Sequence, residues 1–393
     1  MIIHILKNVM ILNLYFSINI NSVFFRSVIA FFLSFFLSLF LYKKIICWNK
    51  KNSVIGEHIR DLGLLGQKEK EGTPTMGGII MILSTLISTI IFSSLNNIYV
   101  IILIITMLFM GGLGFLDDFI KIKYNKKGLS IMGKILGQIL LGFFIGSIMS
   151  FNTSIFLSKK EDGFKTTIPI FYTYHHNNQK EFDYASILSW YNKEWKKYAW
   201  GVSIPIFMII IIFFSNGANI TDGIDGLTAG ISSIIFSTLS LLSIISSSKI
   251  YSSYFHLIYI PNIEEILIFS FSFLGTLISF LWYNTYPSQI FMGDTGSLTI
   301  GGVIAILAII NRKELTLPIL GGIFFIENIS VIIQVLYFRY YKKKYGIEKR
   351  IFLMAPLHHH FQKLGYHENK IFYRFMIIQI MLSILLVFIL LVK

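Results

Sequence analysis

Along its whole length this 393-residue chain returns to apolar runs broken only by short polar loops. Many reach the roughly 17–25 residues that a helix rising 1.5 Å per residue needs to cross about 30 Å of hydrocarbon. Only 14% of the residues are charged, against about 25% in a soluble domain. The chain is therefore expected to be an all-α polytopic integral membrane protein, with any strands confined to loops. Candidate spans lie near 22–42, 76–94, 98–116, 131–150, 201–214, 227–247, 264–282, 296–311, 317–338 and 371–392, about ten in all. The first 20 residues are apolar but lack a small-residue cleavage site, so no cleaved signal peptide is expected. Cys47 is the single cysteine, which leaves no internal disulfide and no thiolate metal cluster.

The formal charge of +14 does not point to nucleic acid, because the basic residues sit in loops between spans. Loops 43–75, 117–130 and 339–370 are rich in Lys and Arg, whereas 95–97 and 248–263 are short or nearly neutral. The positive-inside rule puts the basic loops in the cytoplasm and both termini outside. Segment 151–200, polar and aromatic, then falls outside as a loop inserted into a single transmembrane domain covering 1–393. It holds none of the polar motifs below and is expected to be dispensable for catalysis.

Four unusual polar stretches share the cytoplasmic side under this topology. From Ile98 to Phe115 no residue is charged, and then "LGFLDDFIK" places Asp117 and Asp118 side by side. Each acid costs about 2.5–3.5 kcal/mol near a bilayer centre, so a pair there points to use. "NGANITDGIDGL" carries Asn216, Asn219, Asp222 and Asp225. If it is helical, the last three share a face, and its glycines permit a broken backbone. In "YNTYPSQIFMGDTGSL" Asp294 stands at the mouth of a fresh apolar helix, where free N–H groups attract anions. "MAPLHHHF" carries His358, His359 and His360, whose consecutive spacing is wrong for a helical zinc pair.

One such feature alone would be an ordinary cap or interfacial packing. Together they bring acids, amides and imidazoles to one side, beside Lys70, Lys121 and Lys134. Acids and lysines without Cys or His ligand spacing suit Mg²⁺, which fills its shell with carboxylates, water and phosphate oxygens. The lysines meet phosphate as point charges, and the chemistry indicated is diphosphate transfer at a membrane surface. "GLSIMGKI" has P-loop spacing but puts Ile135 where the metal-binding hydroxyl belongs, with no preceding strand. "GLGFLD" has Asp117 in place of the third glycine of a dinucleotide fingerprint.

Five stretches in order, "GTPTMGG", "LGFLDDFIK", "NITDGIDGL", "FMGDTGSL" and "MAPLHHHF", resemble the bacterial phospho-N-acetylmuramoyl-pentapeptide transferases, within the polyprenyl-phosphate N-acetylhexosamine-1-phosphate transferases. The likeness runs from about residue 22 to the C-terminus. It implies ten transmembrane helices in the bacterial inner membrane, a homodimer, and a Mg²⁺-dependent cytoplasmic site. UDP-N-acetylmuramoyl-pentapeptide would give its phospho-sugar to undecaprenyl phosphate, yielding lipid I and UMP. By the same resemblance Lys70, Thr75, Asn219, Asp222, Asp225, Asn284, Phe291, His358 and His359 line the nucleotide-sugar pocket. Asp294 binds Mg²⁺, and Asp117, Asp118 and Lys134 join it in the catalytic centre. Gln362 departs from the family's usual acid, and segment 151–200 is longer than its usual outer loop.

Adjacent helical residues diverge by about 100°, so the paired acids are expected to differ in role. Asp117 is expected to face the lipid phosphate, and Asp118 to tune the Mg²⁺ shell or hold lysines. A cation-coupled transporter would keep its acids near the midplane and show a repeat, but here the acids sit at helix ends and no repeat is evident. A sibling transferase using UDP-N-acetylglucosamine is the nearer alternative, against which the unbroken "HHH" and "TPTMGG" speak.

Overall fold

The computed structural model describes residues 22–52, 70, 72–124, 128–152, 164–169 and 181–391. The reading of the first 20 residues lies outside them. The apolar runs form α1 (Val23–Asn52), α2 (Gly78–Phe92), α3 (Ile98–Lys123) and α4 (Ile131–Phe151). A hairpin of β1 (Lys165–Thr167) and β2 (Glu181–Asp183) leads through α5 (Tyr184–Ser189) to α6 (Trp200–Thr221). Then follow α7 (Leu227–Ser247), α8 (Lys249–Tyr254), α9 (Ile266–Asn284) and α10 (Gly293–Ile310). The chain continues through α11 (Leu317–Leu320), α12 (Gly322–Tyr345), α13 (Leu357–Lys363) and α14 (Glu368–Leu391). Starts are set locally: the Asn97 side chain accepts from Tyr99 N at 2.9 Å, and Ser130 Oγ accepts from Gly133 N at 3.1 Å.

Among the described residues nine helices are long and apolar enough to cross a membrane. The tenth expected span, 76–94, is the 15-residue α2, about 23 Å long at 1.5 Å per residue and short of ~30 Å of hydrocarbon. Two other boundaries differ from expectation. Span 317–338 is interrupted at Gly321 and resumes as α12, which runs on to Tyr345. Helix α6 continues unbroken through Gly217 to Thr221, so the backbone turns only from Asp222 to Gly226.

Helix α10 is the core: every residue from Thr295 to Ile310 is buried, with α3 and α6 packed against it. A helix apolar all round has no other place to go. Helix α9 packs against α1, α2 and α7. The outer helices α1, α4 and α14 turn Phe36, Phe143 and Phe388 outward, as a lipid-facing surface does. Gly78 lets α2 meet α10 backbone to backbone, since a Cβ there would lie 2.2 Å from Gly296 N. Small residues at such crossings are the usual device of membrane bundles.

The alternation of helices sends all five motif stretches to one end of the bundle. The other end is tied by Arg26, whose guanidinium meets Glu265 at 2.5 Å and Phe92 O at 2.9 Å. It also holds a buried charged turn, Asn311–Glu314. Ser243 Oγ donates to Asn311 Oδ1 (2.8 Å), and Lys313 Nζ donates to Ser246 Oγ (2.7 Å). Thr167 N donates to Arg312 O at 2.9 Å, and Tyr184 OH to Glu314 Oε1 at 2.7 Å. Burial lowers the Lys313 ammonium to about 7 and raises the Glu314 carboxyl above its ordinary range.

The described parts of segment 151–200 therefore cover a buried charged turn and stabilise it. Removing one partner of a buried acceptor costs about 1–3 kcal/mol, so Tyr184→Phe is expected to lower the thermal midpoint. Transfer per folded molecule should stay at the parent value. An unchanged midpoint in a melting series would show that the hairpin is not anchored through Glu314.

Candidate active site

Helix α3 delivers Asp117 and Asp118 in its last two turns, and their adjacency sends them to different partners. Asp118 faces the start of α10, accepting from Asp294 N (3.0 Å), Thr295 N (2.9 Å) and Thr295 Oγ1 (2.7 Å). Its carboxylate thereby caps free N–H groups at the positive end of the most buried helix. Gly293 makes room for it: its φ is +73°, and a Cβ there would lie 2.5 Å from Asp118 Oδ2. Asp118 is thus first a helix cap; its contact with the Lys121 ammonium is 3.9 Å.

Asp117, wholly buried, takes the other direction. Leu129 N donates to its Oδ1 at 2.7 Å, while its Oδ2 faces Lys121 Nζ at 2.7 Å and Lys134 Nζ at 2.9 Å. The same two ammonium groups reach Asp294, Lys121 at 3.0 Å and Lys134 in a short contact with Oδ2. Lys121 lies one helical turn beyond Asp117, the i,i+4 spacing that favours such a pair. Three carboxylates facing two ammonium groups leave one excess negative charge. One oxygen of each lies within 4.8 Å of the others, a hard-donor set fit for a divalent cation.

A second cluster forms on the other side of the α10 mouth. Lys70 Nζ donates to Asp225 Oδ1 (2.8 Å) and to Glu368 Oε2 (2.6 Å). Asp225 Oδ2 accepts from Ser288 N at 3.1 Å. Asn284 ties two loops together, accepting from Gly226 N (2.8 Å) and donating to Ile290 O (2.7 Å). Asn219 Nδ2 donates to Ser297 Oγ at 2.9 Å, one turn along α10 from Asp294. Asp222 ends α6 as its C-terminal cap residue. Thr75 and Phe291 are both half-buried, and the 74–77 segment pairs with the Phe291 backbone through Pro74 O and Gly77 N, at 2.8 and 2.9 Å.

The three histidines have three different settings. His358 is fully buried; its N donates to Glu327 Oε1 at 3.2 Å and its Nδ1 lies 3.3 Å from Glu327 Oε2. His359 Nδ1 meets Gln362 Oε1 at 2.6 Å, and Gln362 Nε2 donates to Glu368 Oε1 at 3.1 Å. His360 Nδ1 accepts from Leu353 N at 3.2 Å and so holds the loop. Burial first, then His358 and Lys70, push the His359 imidazole down to about 4, which makes it neutral near pH 7. Gln362, standing where the resemblance expects an acid, thus links a neutral imidazole to the acid Glu368.

The structure brings Asp117, Asp118, Lys134 and Asp294 together, and gathers Lys70, Asp225, Asn284, His358 and His359 nearby. Sequence reasoning counted Lys121 among the phosphate-facing lysines but did not pair it with Asp117 and Asp294, and it gave no role to Glu327 or Glu368. Lone acids at or inside apolar helices, rare unless used, were the available signal for Glu327 and Glu368. The i,i+4 spacing from Asp117 was the signal for Lys121.

The fold and this site define a polytopic helical membrane protein with a centre of acids and lysines at one end of its bundle. The family model for glycosyl transferase family 4 matches residues 100–312. A phospho-N-acetylmuramoyl-pentapeptide-transferase of Flavobacterium johnsoniae is 48% identical over 384 residues, covering 92% of each chain. One from Amoebophilus asiaticus is 48% identical over 381 residues, with the same coverage. A third, from Parabacteroides distasonis, is 44% identical over 395 residues and again covers 92% of each. The chain belongs to the phospho-N-acetylmuramoyl-pentapeptide-transferase family.

Proposed function

We propose that this protein transfers phospho-N-acetylmuramoyl-pentapeptide from its UDP donor to undecaprenyl phosphate, giving lipid I and UMP for peptidoglycan synthesis. The carrying observation is the pair of ammonium groups, Lys121 and Lys134, shared between Asp117 and Asp294 at the mouth of α10. The whole chain acts as one transferase domain in the bacterial inner membrane, with this end of the bundle in the cytoplasm.

An oxygen of the lipid phosphate attacks the sugar-linked phosphorus of the donor diphosphate, and the bond from that phosphorus to the bridging oxygen breaks to release UMP. A phosphate dianion is already nucleophilic, so the protein's part is alignment and charge neutralisation. Lys121 and Lys134 meet the phosphates as point charges. Asp117 orients the incoming lipid phosphate through the lysines it holds. Mg²⁺ is the cation whose chemistry fits, and Asp294 would hold it with Asp117 and Asp118, one oxygen of each lying within 4.8 Å of the others. Bound there, it would neutralise charge developing on the diphosphate.

Lys70, Thr75, Asn219, Asp222, Asp225, Asn284, Phe291, His358 and His359 form the nucleotide-sugar side. Contacts to the uridine end persist from ground state to transition state. Lys70→Ala and Phe291→Ala are therefore expected mainly to raise KM for the UDP donor. A fall in kcat at constant KM for both would reassign them.

The deciding experiment offers purified protein undecaprenyl phosphate, Mg²⁺ and either UDP-N-acetylmuramoyl-pentapeptide or UDP-N-acetylglucosamine, and follows UMP. Efficient use of the first donor and barely detectable use of the second is the expected result. Equal kcat/KM for the two would transfer the protein to the sibling branch.

A further inference from the structure

Segment 184–200 exposes aromatic side chains that the transfer reaction does not use. Trp190 is 89% exposed and Tyr191 80%, and Trp195, Tyr198 and Trp200 are exposed as well. Between them stand Lys193, Lys196 and Lys197, all exposed. The segment is pinned at both ends. Tyr184 bonds Glu314 at 2.7 Å, and Trp200 packs on Phe151 with ring centroids 5.8 Å apart. Within it the Asn192 side chain caps a 3₁₀ turn over Lys193–Tyr198, accepting from Glu194 N at 3.0 Å. Tyr191 and Trp195 stack with an interplanar angle of 3°.

We infer that this segment is an interfacial foot, lying in the headgroup layer of the leaflet at the end of the bundle opposite the active site. Its occupant is the phospholipid headgroup–acyl boundary. The argument is one of level and chemistry. Trp200 opens a 22-residue membrane span and Phe151 closes another, so their paired rings mark the edge of the hydrocarbon. Trp195 stands five residues before Trp200, about 10 Å at the 2.0 Å rise of a 3₁₀ turn. The headgroup layer is about 5–8 Å thick on each side, so a foot that lies along the membrane plane keeps these rings at its depth, whereas one standing straight out would leave it. Trp and Tyr are the residues that membrane interfaces enrich, and lysines at that level reach lipid phosphates. The neighbouring helix α8 repeats the pattern directly after a span, with Ile250 and Tyr251 exposed beside Lys249.

The test uses the full-length protein in phosphatidylcholine–phosphatidylglycerol nanodiscs. Trp48→Phe, Trp200→Phe and Trp282→Phe together leave Trp190 and Trp195 as the only fluorophores of their kind. Lipid brominated near the headgroup end of its acyl chains is expected to quench their emission at least about two-fold, with aqueous iodide having little access. Full quenching by iodide and none by brominated lipid would overturn the inference. Should that variant fail to fold, Tyr191→Cys in a Cys47→Ser background, labelled with bimane, reads the same boundary. Headgroup-level spin-labelled lipid should quench the label, and quenching by iodide alone would again overturn the assignment.

Discussion

Asp294→Asn and Asp117→Asn should each lower transfer at least about 10²-fold while the protein still inserts and folds. Both carboxylates share Lys121 and Lys134 at the mouth of α10. Neutralising either one removes a ligand for a hard cation and releases an ammonium group from its position. Losses of about 10²–10³ are usual for removing one group of this kind. The loss should fall on kcat more than on KM for the UDP donor, because the charge matters most as the diphosphate bond breaks. UMP release measured across a Mg²⁺ series decides it. A rate for Asp294→Asn near that of the parent at saturating Mg²⁺ would remove Asp294 from the metal site.

Asp118→Asn should also lose at least about 10²-fold, but with a different companion effect. Asp118 accepts three hydrogen bonds at the start of α10, from Asp294 N, Thr295 N and Thr295 Oγ1. An amide offers one oxygen there and turns an NH₂ toward a group that already donates. Leaving a buried donor unpaired costs about 1–3 kcal/mol, and losing the charge at the helix terminus costs about 0.3–2 kcal/mol more. The thermal midpoint should therefore fall in Asp118→Asn through loss of the α10 cap. An Asp118→Asn protein that melts at the parent temperature would mean the carboxylate acts on substrate and not as a cap.

Much of this was legible in the sequence, because it rests on short-range regularities. Apolar runs of membrane-spanning length fix the helices, and acids where hydrocarbon begins announce the site. The five motif stretches fall at one end because successive spans alternate in direction. What was not legible is set by non-local partners. That Asp118 serves α10 depends on Gly293 and Thr295, far along the chain, coming up beneath it. Glu327 and Glu368 look alike as single acids in apolar helices; only the packing of α12 and α14 gives one to His358 and the other to Lys70. The course of α6 through Gly217 was hidden for a similar reason. Its glycines suggested a break, but Gly217 lies close against Phe324 and Asn328 of α12, and helix–helix packing overrides the weak local preference. The helix expected over 76–94 is there as α2, but its shortness was hidden because composition alone does not show where a helix stops.

The charged turn at the opposite end carries a consequence for how the protein is made. Stranding Arg312, Lys313 and Glu314 in an apolar setting would cost several kcal/mol per ion. The side chains and backbone that receive this turn come from Thr166, Thr167, Tyr184, Ser243 and Ser246. All of them precede it in the chain. Synthesis at about 5–20 residues per second delivers the earlier segments first, so the groups that receive the turn are already made when it leaves the ribosome. Chain order here doubles as assembly order. A circular permutant that made residues 311–316 before the hairpin and α7 would present this charged turn with nothing yet there to receive it.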